Sequence, residues 1–341
     1  MPLGKTLLIA NPAARNGEGA QAARRAEELL RAVPDCSLEV ALTCRPGHAG
    51  DLAAGAAGFQ TVAVLGGDGA IHEAAGGLMR LPRDRRPALG AIPVGSGNDY
   101  AFSLGMAPQL DHAVAQLASA PVRWVDAGTC NGEFFVETLS FGLDAGIALD
   151  TMERRKRTGA TGTALYMRSG LDQLLHHLDS RRVRARFEGM GDAVRPAAFW
   201  DQARSGDGSA EGDVILCAVQ VGPTYGGGFR ICPEARFDDG MLDVCIAHAP
   251  VGLLKAAFVF LRAKNGRHLG FREIEAFSAR SLHLEFAQPL PVQIDGERLE
   301  ATEFEIGIEP AALRVIAPSD AAFAGAHRRG ASAMPASTDN R

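Results

Sequence analysis

The stretch VAVLGGDGAIHEAAGGLM, residues 62–79, has the clearest pattern of secondary structure in this chain. An apolar run ends at Leu65, a glycine-rich turn follows, and apolar residues then recur from Ile71 to Met79 at the spacing of one helix face. A strand, a glycine turn and a helix in this order are typical of parallel sheets covered by helices. Glycines in such a turn let the backbone approach a phosphate and expose N–H groups to it.

Asp68 lies in the middle of this turn. As the N-cap of the helix it would contribute about 1 kcal/mol to stability. A carboxylate beside a phosphate chain, however, would be repelled unless a cation lies between the two. The turn therefore indicates a site for a nucleotide with Mg²⁺, with the carboxylate on the metal side. Asp99 follows a similar turn and supplies a second acid.

The rest of residues 1–125 repeats the alternation of strand and helix, which predicts an α/β domain with a parallel sheet. Strands are predicted at 6–10, 37–43, 61–65 and 88–94, and helices at 20–33, 48–57 and 110–119.

After Trp124 the sequence changes to short strand candidates separated by Gly, Pro and Asp turns. This pattern predicts a mostly antiparallel β-sandwich domain. Helices are predicted to interrupt it at 163–178 and 251–264, and residues 189–213 read as strand fragments with a flexible loop. Residues 319–341 are low in large apolar side chains and are predicted to be a disordered tail.

The composition narrows the class of protein. A length of 341 residues, 46% of them hydrophobic and 22% charged, fits two folded domains. The 35 basic and 40 acidic residues give a formal charge of −5, so we expect no nucleic-acid partner. The six cysteines lack zinc spacing and fit a reducing compartment. The longest apolar stretch, from Val251, is broken by Lys255, so we expect a cytoplasmic protein with no transmembrane segment.

Two motifs mimic other nucleotide sites. Gly4-Lys5-Thr6 ends like a P-loop, but the first glycine of that motif would precede residue 1. Gly17 to Ala22 matches G-x-G-x-x-A, and Glu39 follows at the distance of a ribose-binding acid. A Rossmann-type oxidoreductase is therefore an alternative, although six residues separate the strand from Gly17 and a Rossmann turn must be tight.

Three glycine turns follow predicted parallel strands, in residues 11–19, 65–77 and 92–101. Ligands of open α/β sheets bind at this end of the strands. Ser96 adds a hydroxyl there, and Asn98 could cap the next helix or bind the ligand. Asp-Gly turns in residues 225–244 and 292–299 would, taken alone, be ordinary hairpins.

Seven motifs occur in a fixed order, and together they carry a resemblance. They are N-P-x-x from residue 11, G-G-D-G-x-x-x-E from 66, G-x-G-N-D-[FY] from 95, S-x-G-x-D-A from 140, Y-G-G-G from 225, P-x-A-x-x-x-D-G-x-L-D-V from 233 and D-G-E from 295. Over residues 5–317 the chain resembles the bacterial diacylglycerol kinase-like lipid kinases, relatives of sphingosine kinases and, more distantly, of NAD kinases. Each motif alone would be a weak signal.

The resemblance implies an ATP- and Mg²⁺-dependent kinase that phosphorylates a lipid hydroxyl in a cleft between two domains. It also implies that the chain end returns to the first domain. We therefore predict an α/β domain over residues 1–125 with 300–318, and a β-sandwich domain over 126–299.

The family's functional residues map onto numbered positions of this chain. Asp295 matches the base that deprotonates the lipid hydroxyl, and Asp68 is the second predicted catalytic residue. The side chain of Asp239 with the carbonyls of Arg236 and Met241 matches a Mg²⁺ site. The predicted ATP-binding residues are Asn11, Thr43, Gly66, Gly67, Asp68, Gly69, Ala70, Ile71, His72, Gly95, Ser96, Gly97, Asn98, Asp99 and Glu297.

The chain departs from the family pattern at two places. Ala70 replaces a threonine, which removes a hydroxyl contact of about 1 kcal/mol, and Arg15 is the candidate for a basic residue that the NPAARNG turn otherwise lacks. Two further functions stay open at this point, an NAD kinase-like enzyme acting on a soluble nucleotide and a nucleotide sensor without catalysis.

A lipid substrate predicts docking at an anionic membrane surface. The basic run Arg154 to Arg157 and the apolar residues Phe258, Phe260 and Leu261 are the candidates, and a solvated helix face is the alternative for the basic run. The sequence leaves open whether the protein is a homodimer.

Overall fold

A computed structural model describes residues 3–160 and 162–323 of the chain. The glycine-rich stretch of residues 62–79 forms most of β3 (Thr61–Gly66) and all of α3 (Asp68–Met79). All residues of β3 are buried, as expected of a parallel strand covered on both faces.

The N-terminal domain is an α/β layer structure around four parallel strands in the order β2-β1-β3-β4. This confirms the predicted parallel sheet. Its other elements are β1 (Gly4–Ala10), α1 (Gly19–Arg31), β2 (Cys36–Leu42), α2 (His48–Ala54), β4 (Ala88–Pro93), α4 (Asp99–Ser103) and α5 (Leu110–Ser119), with 3₁₀ helices at Ala14–Gly17 and Arg83–Arg85.

The C-terminal domain is built on antiparallel strand pairs and confirms the predicted sandwich. Buried and exposed residues alternate along β8, because one face packs on the core and the other meets solvent. Its elements are β5 (Val122–Cys130), β6 (Glu133–Phe135), β7 (Thr138–Gly142), α6 (Leu143–Thr158), α7 (Thr163–His176), β8 (Arg181–Glu188), β9 (Ala193–Arg195), α8 (Ala198–Ser205), β10 (Ser209–Gln220), β11 (Leu242–His248), α9 (Leu253–Ala263), a 3₁₀ helix at Arg267–Gly270, β12 (Ile274–Ala279), β13 (Ser281–Phe286), β14 (Val292–Ile294), β15 (Glu297–Arg298) and β16 (Glu303–Ile316).

The last strand connects the strands of the two domains into one continuous sheet. β16 pairs antiparallel with β13 and β5, and its end pairs in parallel with β4 through Val315 and Leu89. The register shifts between Glu309 and Leu313, where Ala311 has a φ of 50°. One strand thus belongs to both domains and fixes the strands that flank the cleft between them.

Two helices, α6 and α8, differ from the sequence-based expectation, whereas the strand β9 fits the strand fragments predicted in residues 189–213. A 16-residue helix, α6, begins at Leu143, directly after the predicted strand. Its first half is buried and its second half is charged and exposed, so no single apolar stripe marks it. α8 and β9 occupy part of the segment for which the sequence predicts strand fragments and a loop.

The predicted disorder from residue 319 does not fit residues 319–323. Ala322 and Phe323 are buried, and the Phe323 ring lies 6.0 Å from that of Phe237. Ser319 N–H donates to the carbonyl of Leu104 at 3.2 Å. Two buried apolar side chains pack this segment, although the predicted tail as a whole has few large apolar residues. The rest of the predicted tail, 324–341, lies outside the described residues.

Within residues 3–160 and 162–323 no helix is long and apolar enough to span a bilayer.

Candidate active site

Asp68 joins two of the glycine turns. It is the first residue of α3, and Gly67 occupies the N-cap position without a side-chain bond, so Asp68 is not a cap. Its carboxylate instead accepts the N–H of Asn98 at 2.8 Å and that of Tyr100 at 3.3 Å. The turns lie so close that a Cβ on Gly95 would be 2.3 Å from the Cα of Gly67. Glycine is required at this approach.

Asn98 stabilises its own turn rather than capping α4. With φ of 60° it has a left-handed conformation that asparagine tolerates. Its side-chain oxygen accepts the N–H of Gly95 at 2.7 Å, and its amide nitrogen donates to the Gly95 carbonyl at 3.0 Å. Asn98 is buried and is not part of the cleft wall, so its side chain supports the turn from the protein interior.

Asp99 links this turn to the C-terminal domain. Its carboxylate accepts the N–H groups of Gly227 at 2.7 Å and Gly228 at 2.5 Å. Lys264 donates to the Gly227 carbonyl and its charge acts on Asp99. The Y-G-G-G motif therefore lies across the cleft from the nucleotide-type turns and is held there by the α/β domain.

Asp295 lies in the turn between β14 and β15, with φ of 44° followed by Gly296 at 91°. Its carboxylate accepts the backbone N–H groups of Val136, Glu137 and Thr138 at 2.7, 3.1 and 2.8 Å. It also lies 2.8 Å from Nδ1 of His72. The side chain is 2% exposed, and these bonds fix its position.

Glu137 is a fourth carboxyl group of the site, and none of the sequence motifs includes it. It lies between β6 and β7 and is 6% exposed, and its Oε1 has no hydrogen-bond partner among the described residues. The signal in the sequence is an acid inside the apolar run FFVETLSFG, where a charge is costly unless it is paired.

The buried carboxyl groups shift one another's pKa values. Burial and then the charge of Asp99 raise the pKa of Asp68, and burial raises that of Asp99 against its two N–H bonds. The pKa of Glu137 is raised well above its usual value by burial and by the charges of Asp68, Asp99 and Asp295. A bound cation would relieve the mutual repulsion of these carboxyl groups and favour their ionised forms.

These groups surround a cleft of about 420 Å³ between the domains. Arg15 lies on the wall of the cleft, and its Nε donates to the Gly95 carbonyl at 3.5 Å. Arg155, on α6, lines the same cleft. The predicted site residues on the wall are Asn11, Gly67, Asp68, Gly69, Ala70, Gly95, Ser96, Gly97, Asp99, Asp295 and Glu297.

The remaining predicted nucleotide residues lie behind or beside this wall. Ile71 is fully buried in the core, and Gly66 is the last residue of β3. Thr43 follows β2 directly, and its N–H donates to the Ala10 carbonyl at 2.9 Å. His72 is bonded to Asp295 and stacks on Phe134 with ring centroids 6.1 Å apart. Ile71 therefore anchors α3 instead of offering its side chain to a nucleotide.

The predicted Mg²⁺ residues lie together in a loop outside the cleft wall. Asp239 Oδ1 accepts the N–H of Met241 at 3.1 Å, and the Arg236 guanidinium donates to the Phe323 carbonyl. Asp126 ties the loop to β16, because its two oxygens accept the N–H groups of Gly240 and Ala311, both at 2.7 Å. In the described part of the chain no three His, Cys, Asp or Glu side chains are arranged to hold a metal. A Mg²⁺ site here would rest on Asp239 and backbone carbonyls, which are the oxygen ligands that Mg²⁺ prefers.

An apolar cavity of about 80 Å³ adjoins the cleft beneath α6, α7 and α9. Tyr166 lines both spaces. The cavity is bordered mainly by aliphatic and aromatic side chains, among them Ile147, Leu174, Ile215, Phe229 and Phe260. The polar cleft therefore continues next to space suited to hydrocarbon.

The α/β domain with paired glycine turns, bonded to a β-sandwich through buried carboxyl groups, has the diacylglycerol kinase-like fold. Residues 5–130 match the family model of the diacylglycerol kinase catalytic domain, and residues 137–317 match that of the YegS C-terminal NAD kinase beta sandwich-like domain. The chain belongs to the YegS-like lipid kinase family. The alternative of a Rossmann-type oxidoreductase is therefore wrong.

Individual relatives agree with this assignment. A probable lipid kinase YegS-like from Pseudomonas aeruginosa (strain UCBPP-PA14) is 30% identical over 268 residues, which cover 77% of this chain and 78% of the relative. A protein of the same name from Yersinia enterocolitica is 28% identical over 326 residues, or 94% and 99% of the two chains. A crystal structure described as a diacylglycerol kinase from Bacillus anthracis str. Sterne has the same fold, with a TM-score of 0.67 at 21% identity over 92% of this chain and 97% of that one.

Proposed function

We propose that this lipid kinase transfers the γ-phosphoryl group of ATP, with Mg²⁺, to a hydroxyl group of a membrane lipid. The observation that carries the proposal is the placement of Asp295 across one cleft from two glycine turns that Asp68 holds together. One side can hold a phosphate chain and the other can take a proton.

The glycine turns form the nucleotide side. Backbone N–H groups near Gly69 and Gly97, with the guanidinium of Arg15, provide donors for phosphate oxygens. Asp68 and Asp99 offer the oxygen donors and the negative potential that fit Mg²⁺ with its water shell. When bound, Mg²⁺ neutralises charge on the phosphate chain.

Asp295 and His72 form the proton-acceptor side. As the lipid hydroxyl oxygen bonds to the γ-phosphorus, the bond from that phosphorus to the bridging oxygen breaks and ADP leaves with the electron pair. The hydroxyl proton passes to the carboxylate of Asp295. The three backbone N–H bonds hold this carboxylate in place, and His72 can share the proton over 2.8 Å.

The apolar cavity beside Tyr166 favours a lipid acceptor over a soluble nucleotide. An apolar surface on the same helices, which we term the α7–α9 face, continues outward from it. It consists of the exposed side chains Leu171, Leu175, Leu253, Leu254, Phe258 and Leu261.

We infer that the α7–α9 face and the basic end of α6 dock on an anionic membrane. Arg155, Lys156 and Arg157 are exposed, and each charge near such a surface is worth about 1 kcal/mol. Two of the sequence candidates point inward instead. Arg154 is bonded to Asp150 and Asp172, both at 2.5 Å, and Phe260 stacks on Phe229 with ring centroids 5.1 Å apart.

The test is phosphoryl transfer from γ-labelled ATP to a panel of alcohols in detergent micelles. The panel should contain diacylglycerol, a sphingoid base, phosphatidylglycerol and water-soluble alcohols. The proposal expects Mg²⁺-dependent label on at least one lipid and none on the soluble alcohols. Label on soluble alcohols alone would contradict a lipid acceptor.

A further inference from the structure

Glu137 differs from the three other carboxyl groups of the cleft in how it is bonded. Asp68 and Asp99 each accept two backbone N–H groups, and Asp295 accepts three together with its bond to His72. Glu137 lines the same cleft, yet its Oε1 is buried without a partner among the described residues. Backbone N–H donors stabilise the ionised form of a carboxyl group, and Oε1 of Glu137 has no such donor among the described residues.

The position of Glu137 is central. It lies close enough to Asp68 and Asp99 on the nucleotide side, and to Asp295 on the acceptor side, for the charge of each to act on it. Its own N–H donates to Asp295. Glu137 therefore lines the cleft between its nucleotide side and its acceptor side.

We propose that Glu137 works as a neutral carboxylic acid whose O–H donates a hydrogen bond to an oxygen of the phosphoryl group in transfer. The identity of the ligand rests on the proposed function. An ionised Glu137 would repel that phosphoryl group as well as three neighbouring carboxylates, whereas a neutral acid supplies a donor at this point of the cleft.

The surroundings favour the neutral form. Burial and the neighbouring carboxylates raise the pKa of Glu137 well above its usual value, and a phosphate chain in the cleft would raise it further. The groups that act on Glu137 by their charge, or on which its charge acts, are Asp68, Asp99, Asp295 and Tyr100. His72 is bonded to Asp295, and the charge of Lys264 acts on Asp99. Arg15, Arg155 and Glu297 line the same cleft.

The test compares two replacements in the full chain. Glu137→Gln keeps the shape and an N–H donor, and Glu137→Leu removes the donor while filling the space. Binding of the Mg²⁺ complex of a non-hydrolysable ATP analogue is measured by calorimetry, and turnover with labelled ATP alongside. We expect Glu137→Leu to lower affinity for the analogue and turnover roughly 10- to 100-fold, as for the loss of a hydrogen bond to a charged group. Glu137→Gln should retain most of the wild-type affinity and turnover. Glu133→Gln, an exposed acid on β6, is the matched control.

A pH series adds a readout that a structural role would not change. Affinity of the wild type should fall on the alkaline side as Glu137 ionises, and Glu137→Gln should lack that fall. If Glu137→Gln is as impaired as a folded Glu137→Leu, the carboxylate charge is what matters and the proposal is overturned. A Glu137→Leu variant that binds and turns over like the wild type overturns it as well.

These outcomes are separable from the proposed function. If the wild type binds the analogue but labels no alcohol, the lipid kinase assignment fails while the Gln and Leu comparison still decides the role of Glu137 by binding. A wild type that does not bind the analogue overturns both.

Discussion

His72 Nδ1 and Asp295 Oδ2 lie 2.8 Å apart although 223 residues separate them in the chain. The bond joins α3, which begins in the phosphate-type turn, to the β14–β15 turn of the sandwich. It makes Asp295 part of a carboxylate–imidazole pair in which a proton can be shared. This hydrogen bond therefore connects the helix that follows the proposed phosphate-binding turn to the proposed general base.

Asp295→Asn should lower kcat by about 10²–10⁴-fold and change Mg-ATP affinity little, because the amide cannot accept the proton. The amide NH₂ would also face backbone N–H donors, so a stability loss of about 1–3 kcal/mol is expected. Kinetics and urea unfolding on the same sample separate the two effects. Near wild-type kcat would remove Asp295 from the role of base and leave it as a turn residue.

The same bond makes stability depend on pH. Burial lowers the pKa of His72, but the hydrogen bond with Asp295 and the charges of Asp295, Glu297 and Glu73 together outweigh it, so the pKa in the folded protein is raised. The folded state then binds the proton more tightly than the unfolded state. This stabilisation is complete below about pH 6.5 and is lost as pH rises through the folded-state pKa.

His72→Gln should therefore flatten the decline of unfolding free energy above about pH 6.5. Urea unfolding at mildly acidic and mildly alkaline pH measures this. His112→Gln, on the exposed side of α5, is the control and should follow the wild type. A decline unchanged in His72→Gln would show that the bond with Asp295 does not stabilise the fold.

Asp68→Ala should abolish transfer by releasing the turn at Asn98 from that at Gly67. It leaves the N–H groups of Asn98 and Tyr100 without their acceptor, which costs about 1–3 kcal/mol, although removing one of two repelling carboxylates offsets part of this. Asp111→Ala, the control, removes an exposed acid paired with Arg25, and exposed pairs of this kind contribute little to stability. Retained Mg-ATP turnover in Asp68→Ala would exclude this residue from the mechanism.

Asp239→Ala should reduce the rise of melting temperature that Mg²⁺ causes, since a metal that binds only the folded state stabilises it by mass action. Asp207→Ala is a matched control, because Asp207 Oδ1 accepts the N–H of Ser209 at 3.1 Å in the same way as Asp239 Oδ1 accepts that of Met241. Equal Mg²⁺ responses in wild type, Asp239→Ala and Asp207→Ala would make the FDDGML segment an ordinary turn.

Binding to vesicles that contain phosphatidylglycerol should weaken as salt is added. Leu254→Glu, at the most exposed apolar position of α9, should reduce co-sedimentation, and so should Lys156→Ala with Arg157→Ala. Val194→Glu on β9, an exposed apolar residue outside the α7–α9 face, should have no effect. If the wild type does not bind vesicles at low salt, the basic run is a solvated helix face and not a membrane-binding segment.

Local pattern is enough to predict the parallel sheet. The apolar run before Gly66 and the helical spacing after it require β3 and α3, and the order of the motifs indicates the second domain. Asp68 shows the limit of local pattern. Its position before a helix suggests a cap, but its partners are 30 and 32 residues away, and nothing in the turn itself specifies them.

Glu137 and α6 show two further limits. An acid within an apolar run is visible in the sequence, but only the fold brings it beside Asp68, Asp99 and Asp295. α6 changes from buried to exposed along its length, so no single helical stripe predicts it. Phe323 packs on Phe237 because of where β16 ends, which composition cannot indicate.

The most direct test of a lipid acceptor offers the wild-type protein labelled Mg-ATP with two acceptors in one reaction, diacylglycerol in mixed micelles and NAD in the surrounding water. We predict label in the lipid fraction, none in NAD, and loss of the lipid label in Asp295→Asn. Label in NAD with none in the lipid would contradict a lipid acceptor.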